Sequence, residues 1–171
     1  MTHEKSLTVR QAQKVPDDLG KLELPNFKED NMIGALIAKS KVTSSYDLLN
    51  NRNIKGFLAN WHDEATWIYP GNIRAGGTFK GKKAIEEWFK KFIEQFPVLK
   101  ITPKNVCVKN ILDFFGTNIV AVEWVEESTN KDGIQSQFTG VTVITLKFGK
   151  ATKAIDYMFT TDEELKKAWS E

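Results

Sequence analysis

Three side chains in this sequence are candidates to move or hold a proton inside a pocket: Asp156 in "ATKAIDYMF", Glu126 in "VAVEWVEES" and Tyr69 in "ATWIYPG". Asp156 sits in an extended run, on one strand face with Ala154 and Met158 and opposite to Lys153. If that face lines an aromatic pocket, desolvation disfavours the carboxylate, raises its pKa and makes it a proton shuttle near neutral pH. Ile155 and Tyr157 also call for burial, so the same strand is a candidate for cover on both sides. Glu126 shares a face with Trp124, where it would meet Asp156 across a pocket, and two close carboxylates push one pKa up. Its place near a strand end, beside Glu127 and the "NKDG" turn, argues instead for water. Tyr69 is a hydrogen-bond donor for a ligand carbonyl. Trp67, Trp88, Phe92, Trp124 and Phe138, with Met158, are the expected walls, some of them doubling as core.

The elements that would hold these residues are legible from periodicity. "KKAIEEWFKKFIEQF" places Ala84, Ile85, Trp88, Phe89, Phe92, Ile93 and Phe96 on one helical stripe, with Glu86–Lys90 and Glu87–Lys91 on the wet side and Pro97 as the stop. Before it, "NMIGALIAKSKVTSSYDLLNN" has helical spacing with a polar middle, Lys39 to Ser45, which leaves room for a break. Asn53 caps a short helix carrying Ile54, Phe57, Leu58 and Trp61, and "ATWIYP" and "GGTF" read as strands. After Pro97 the period becomes two. "LKITPKNVCVKNIL", "TNIVAVEWVEES", "GIQSQFTGVTVITLKF" and "ATKAIDYMF" read as four strands with hairpins at 130–133 and 148–150. Thr161 and Glu164 form a capping box for a last helix with Leu165, Ala168 and Trp169. Helices set apart from a long antiparallel meander indicate an α+β fold. A strongly curved antiparallel sheet would wrap the long amphipathic helix as a cone, and the space between them would be a pocket.

Bulk properties narrow the field. The chain has 171 residues, the size of one domain plus an extension, and is 41% hydrophobic. Residues 1–31, interrupted by Pro16 and Pro25, read as an N-terminal arm and 32–171 as the domain. The charge balance, 24 − 22 = +2, gives no field for nucleic acid or a membrane surface, and the Lys pairs sit among Glu on helix faces. The lone Cys107 makes an internal disulfide impossible, and with His3 and His62 it forms no metal-ligand spacing. His62, at what reads as a helix end, is explained by the helix dipole. No apolar run approaches a membrane span, and the start has no signal-peptide core. A soluble, cytoplasmic protein without metal or organic cofactor is the expectation.

The stretches "FLANWHDEATWIYPG", "GTFKGKKAIEEWFKKF", "VAVEWVEES" and "FGKATKAIDYMF", in this order and spacing, resemble the nuclear transport factor 2-like superfamily and, within it, the SnoaL-like polyketide cyclases. The resemblance covers roughly residues 32 to 169. It implies that Asp156 of "AIDY" matches the terminal-strand acid/base of the cyclases, whose companion strand often carries a His. Here "TGVTVITL" offers threonines, Thr142 nearest. Against the limonene-epoxide-hydrolase branch, Glu126, Asp156, Trp67 and Tyr69 occupy the matching places, but Trp124 stands where that branch has Arg. Against the steroid isomerases, Tyr69 stands where they carry an Asp before Pro. The resemblance thus implies a small-molecule pocket doing cyclase- or isomerase-like acid/base chemistry on a hydrophobic carbonyl compound. A non-catalytic module for an apolar ligand and an oligomerisation or protein-interaction domain are the alternatives. A homodimer through the convex sheet is the expected assembly. An open pocket with Asp156 buried beside a polar partner is the arrangement that favours the enzyme.

Overall fold

The computed structural model describes residues 32–110 and 116–171, with side chains described from Lys39 onward. The arm therefore lies outside the described residues, as do Ile111 and Leu112, which the sequence reading adds to a strand. In chain order the elements are α1 (Met32–Asn50), α2 (Ile54–Ala59), β1 (Trp61–Tyr69), β2 (Gly77–Lys80), α3 (Lys82–Gln95), β3 (Val98–Val108), β4 (Thr117–Thr129), β5 (Gln135–Lys147), β6 (Lys150–Met158) and α4 (Asp162–Ala168). The six strands form one curved, unclosed sheet in the order β2-β1-β6-β5-β4-β3.

The meander β3 to β6 is antiparallel, with Glu126 opposite Phe138 and Thr142 opposite Asp156. The pair β1–β6 is parallel, which makes the sheet mixed. This pairing is a topological result: β6 is the end of the meander, and it docks on a strand laid down before α3. It brings the inward face of β1, with Trp67 and Tyr69, beside the inward face of β6, with Ala154 and Asp156.

Local chemistry accounts for the elements. α3 buries Ile85, Trp88, Phe89 and Phe92 on its inner stripe and packs on β1 and β2. Each such side chain removed from water contributes about 1.5–3 kcal/mol. Its C-terminal end is closed by Arg52, whose guanidinium donates to the carbonyls of Ile93 (3.1 Å), Phe96 (3.2 Å) and Pro97. α1 is continuous through 39–45, where the sequence leaves room for a break. Its polar residues there are mostly exposed, Val42 turns inward, and the Ser45 hydroxyl donates back to the Lys41 carbonyl at 2.9 Å. At the end of α1, the Asn50 side chain exchanges two 2.8 Å bonds with the Ile101 backbone and so fastens the helix to the edge strand β3. Pro103 is tolerated in that edge strand beside a register shift.

Asn53 caps α2 through a 2.8 Å bond from the Gly56 N–H, and Thr161 with Glu164 forms the full capping box of α4. The Phe148-Gly149 turn has positive φ at both residues, as a tight hairpin between twisted strands requires. α2 is shorter than the sequence reading and β1 longer. Trp61 and His62 begin the strand, so His62 is not at a helix end, and its Nδ1 accepts from the Glu64 N–H at 3.2 Å. The strand wins here because Trp61 buries beside Trp67 (ring centroids 5.9 Å), and the Ala151 N–H donates to the adjacent Asn60 carbonyl. On the outer face, Tyr157 and Phe159 are exposed, so β6 is open to solvent at Tyr157.

Candidate functional site

Between α1, α3 and the concave face of the sheet lies a cavity of about 180 Å³. Its wall contains Trp67 and Tyr69 from β1, Trp88 and Phe92 from α3, Trp124 and Glu126 from β4, Thr142 from β5, Asp156 from β6 and Tyr46 from α1. Strand alternation delivers these residues, since even-numbered positions of β4, β5 and β6 turn inward over this stretch. Asp156 points inward, as its place beside Ala154 predicts, and is 7% exposed.

Thr142 is the centre of the polar cluster. Its Oγ1 accepts from the Trp124 indole N–H at 2.9 Å and from the Tyr46 hydroxyl at 3.3 Å, and it donates to Asp156 Oδ1 at 2.5 Å. The direction of this chain is set by residue type. An indole nitrogen only donates, and a threonine has one proton to give. With two donors aimed at its oxygen, Thr142 directs its proton to Asp156. Oδ1 is therefore held as an acceptor, and any proton that Asp156 takes up goes to Oδ2. One glycine makes the contact feasible. A Cβ on Gly140 would lie 2.6 Å from Trp124 Cζ2 and 2.8 Å from Cη2, so only a bare backbone lets this indole lie across β5 toward Thr142.

Burial pushes the Asp156 carboxyl up to about 7. The Thr142 bond works against this rise, and the charge of Glu126 adds to it. Glu126 is 4% exposed, which overturns the expectation that it sits in water. The reason is that β4 runs on to Thr129, and the turn after it is covered. The Asn130 side chain reaches the Ala168 carbonyl of α4 at 2.9 Å. Burial raises Glu126 to about 7 as well, while the Ser128 hydroxyl, donating at 3.0 Å, opposes the rise. Tyr69 is driven above its ordinary range by burial and then by the charge of Glu126, so it stays a protonated donor. Its oxygen accepts from Trp169 Nε1 at 3.3 Å, which leaves its own proton to give. Trp67 Nε1 is buried and, among the described residues, has no acceptor. Such a group costs roughly 1–3 kcal/mol if nothing pairs with it.

The cavity thus brings together Asp156, Tyr69, Glu126, Trp67, Trp88, Phe92 and Trp124 from the sequence-based set. Phe138 and Met158 do not line it. Phe138 is buried in the core and Met158 packs at its margin. Met158 lies opposite Gly140, and the Trp124 indole over that glycine occupies the intervening ground. The sequence reading missed Tyr46. The signal was present: Val42, Tyr46 and Leu49 fall at i, i+4 and i+7, the inward stripe of α1. Among the described residues no group of three or more His, Cys, Asp and Glu is placed to hold a metal ion. No helix among them is long and apolar enough to cross a membrane.

The SnoaL-like domain family matches residues 42–154, well over half of the chain and all of the cavity lining except Lys41 and Asp156. This chain belongs to the SnoaL-like domain family. No curated protein matches the sequence. Solved structures share the fold of this SnoaL-like protein at low identity. Bal32a, from a soil-derived mobile gene cassette, has a TM-score of 0.66 at 18% identity, over 77% of this chain and 95% of its own. A putative isomerase from Bacillus subtilis has 0.61 at 18%, over 82% and 95%. TerC, co-crystallised with polyporic acid, has 0.60 at 20%, over 82% and 98%. Other neighbours are described as nuclear transport factor 2-like or ketosteroid isomerase-like.

Proposed function

We propose that this protein binds a small apolar carbonyl compound in the cavity and that Asp156 moves a proton at the carbon beside the carbonyl. The observation that carries this reading is a carboxyl buried in an aromatic cavity wall, with Oδ1 tied to Thr142 and Oδ2 left to exchange a proton. A group raised to about 7 serves as base and as acid at neutral pH. Ionised Asp156 takes the α-proton onto Oδ2, and the electron pair of the broken C–H bond moves toward the carbonyl oxygen. Tyr69 donates to that oxygen as negative charge builds on it. Protonated Asp156 then returns the proton to the same carbon, which gives exchange, or to another carbon, which gives isomerisation. Where the carbanion first attacks a second carbonyl carbon of the ligand, the π pair of that carbonyl moves to its oxygen. The proton then goes to the resulting alkoxide, which completes a ring closure. The cycle balances without a cofactor. The second buried carboxyl, Glu126, adds to the rise at Asp156 and so favours its protonated form.

The size of the cavity sets the scale of the ligand. An engineered apolar cavity of about 150 Å³ accepts benzene, so about 180 Å³ suits one or two rings. The neighbour described as a putative isomerase lends support from the same fold.

The test is hydrogen–deuterium exchange at the α-carbons of 1-tetralone and 2-tetralone in D2O, followed by proton NMR at pH 7. The protein should speed exchange in at least one ketone above the buffer rate. Asp156→Asn should lower that rate by ~10²–10⁴-fold. Undiminished exchange in the variant, or none above buffer with the native chain, would sink the catalytic reading.

A further inference from the structure

Of the two carboxyls in the cavity wall, proton transfer as proposed above uses Asp156 and leaves Glu126 without a contact to the ligand. Glu126 is 4% exposed. Its Oε1 accepts from the Ser128 hydroxyl at 3.0 Å, which fixes the carboxyl on the inward face of β4. Its Oε2 has no partner among the described residues, and it is not walled off: among them, the one unpartnered side-chain atom that lacks accessible surface is Trp67 Nε1. A carboxyl oxygen that keeps accessible surface on a residue buried in a cavity wall opens onto that cavity. The charges around it are one-sided. Among the described residues, the titratable groups that share the cavity with Glu126 are Tyr46 of α1, Tyr69 of β1, Asp156 of β6 and Lys41 of α1, which is exposed. Two buried carboxyls thus stand in one space with no buried base beside them. Burial raises Glu126 to about 7, and the Ser128 bond alone opposes the rise. Tyr69 feels the Glu126 charge more than that of Asp156. Beyond Tyr69 the wall is aromatic: its ring centroid lies 4.7 Å from that of Trp88, which stacks on Phe92 at 5.3 Å. Faces of such rings attract cations, those of tryptophan most strongly.

We propose that the cavity takes a ligand with a protonated nitrogen, held by Glu126 Oε2 against the aromatic wall, so that the substrate class is ring ketones carrying a basic amine. A hydrocarbon leaves the Glu126 carboxylate unmatched, and a hydroxyl offers it one neutral donor. An ammonium gives a charge-assisted bond and meets the ring faces as well. The ammonium gives up its hydration on entry, which works against binding. Glu126 has already lost its own water on folding, and in this setting the attraction between the two charges is strong. A carbonyl at Tyr69 and an ammonium at Glu126 fix a ligand at two points. The inference rests on the cavity being a ligand site, as proposed above, and not on proton transfer by Asp156.

The experiment uses the full chain at pH 8, where Glu126 is mostly ionised and an alkylamine of lysine-like basicity keeps its proton. Calorimetric titration compares 2-aminotetralin, 2-tetralol and 2-methyltetralin, which place an ammonium, a hydroxyl and a methyl group at one position of one skeleton. The amine should bind at least about tenfold more tightly than either neutral probe. Glu126→Gln keeps the shape, removes the charge and should erase the preference. A second reading needs no variant. In the native chain labelled with [¹³C]glutamate, the Glu126 carboxyl signal is assigned through its own backbone correlations. It should titrate near 7 in the free chain and about one unit lower with the amine bound, the linkage counterpart of a tenfold gain. If the neutral probes bind as tightly as the amine, or the amine leaves the Glu126 midpoint unmoved, the ammonium assignment is overturned while the cavity reading stands. A preference that survives Glu126→Gln puts the cation elsewhere and overturns it too. If none of the three binds, the cavity reading falls and takes this inference with it.

Discussion

Replacing Asp156 with Asn should stabilise the protein at high pH and leave it nearly unchanged at low pH. In the folded chain burial lifts this carboxyl from its ordinary 3.8 to about 7, a rise of roughly three pKa units. At 1.36 kcal/mol per unit this is a linkage of about 4 kcal/mol. The sign follows from proton counting. Between pH ~4 and ~7 the folded chain holds a proton on Asp156 that the unfolded chain has released, so stability falls as pH rises. The contribution is complete below ~4 and lost once pH passes ~7. Asn has no proton to lose, and its amide oxygen still accepts from Thr142. The variant should thus gain on the native chain by up to about 4 kcal/mol between pH 4 and pH 8. Glu126 is raised in the same direction and keeps its own slope in both proteins. Domains are commonly stable by only about 5–15 kcal/mol, so the effect is large. The assay is urea unfolding at half-unit steps from pH 4 to 8.5, with equal slopes confirming that only stability has changed. By heat, the gap at pH 8 should reach roughly 8–16 °C. Native and Asn curves that run parallel across this range would refute a buried, proton-retaining Asp156.

Two further substitutions test the frame around the site. Gly140→Ala should cost about 1–3 kcal/mol through overpacking and drive the Trp124 indole off Thr142. The readout is loss of the downfield-bonded Trp124 indole signal, and an unmoved signal at native stability would contradict the close approach. Arg52→Ala should lower stability by about 1–2 kcal/mol, because the carbonyls at the end of α3 lose a charged donor to water. An unchanged urea midpoint would show that this exposed cap contributes nothing.

The fold was legible because its signals are periodic. The α3 stripe, the two-residue alternation from Val98 onward, the Asn53 cap and the Thr161–Glu164 box each specify one element by local chemistry, and each is present. What was not legible depends on contacts distant in sequence. The parallel β1–β6 pair joins strands about ninety positions apart, with no turn between them to announce it. The polar run of α1 leaves a break open in the sequence because its outward residues hide the inward spacing of Val42, Tyr46 and Leu49. Glu126 looked solvated because its neighbours in sequence are polar, and its burial comes from an α4 that covers the following turn. Asp156 was found because strand alternation fixes its face. Its partner Thr142 is placed by the cross-strand register of β5 and β6, and alternation alone fixes only the face of each residue and not which inward residue stands opposite. Phe138 and Met158 carried the right character, but the Trp124 ring over Gly140 closes the cavity short of them.

Asp156, as a buried carboxyl, should exchange its proton near neutrality. The most direct measurement is the pH titration of its side-chain carbon by ¹³C NMR in protein labelled with [¹³C]aspartate, the signal being assigned by its loss in Asp156→Asn. The midpoint should lie near 7, well above that of an ordinary aspartate. A midpoint near that of a free aspartate, ~3.9, would show a solvated carboxylate and remove Asp156 from the chemistry.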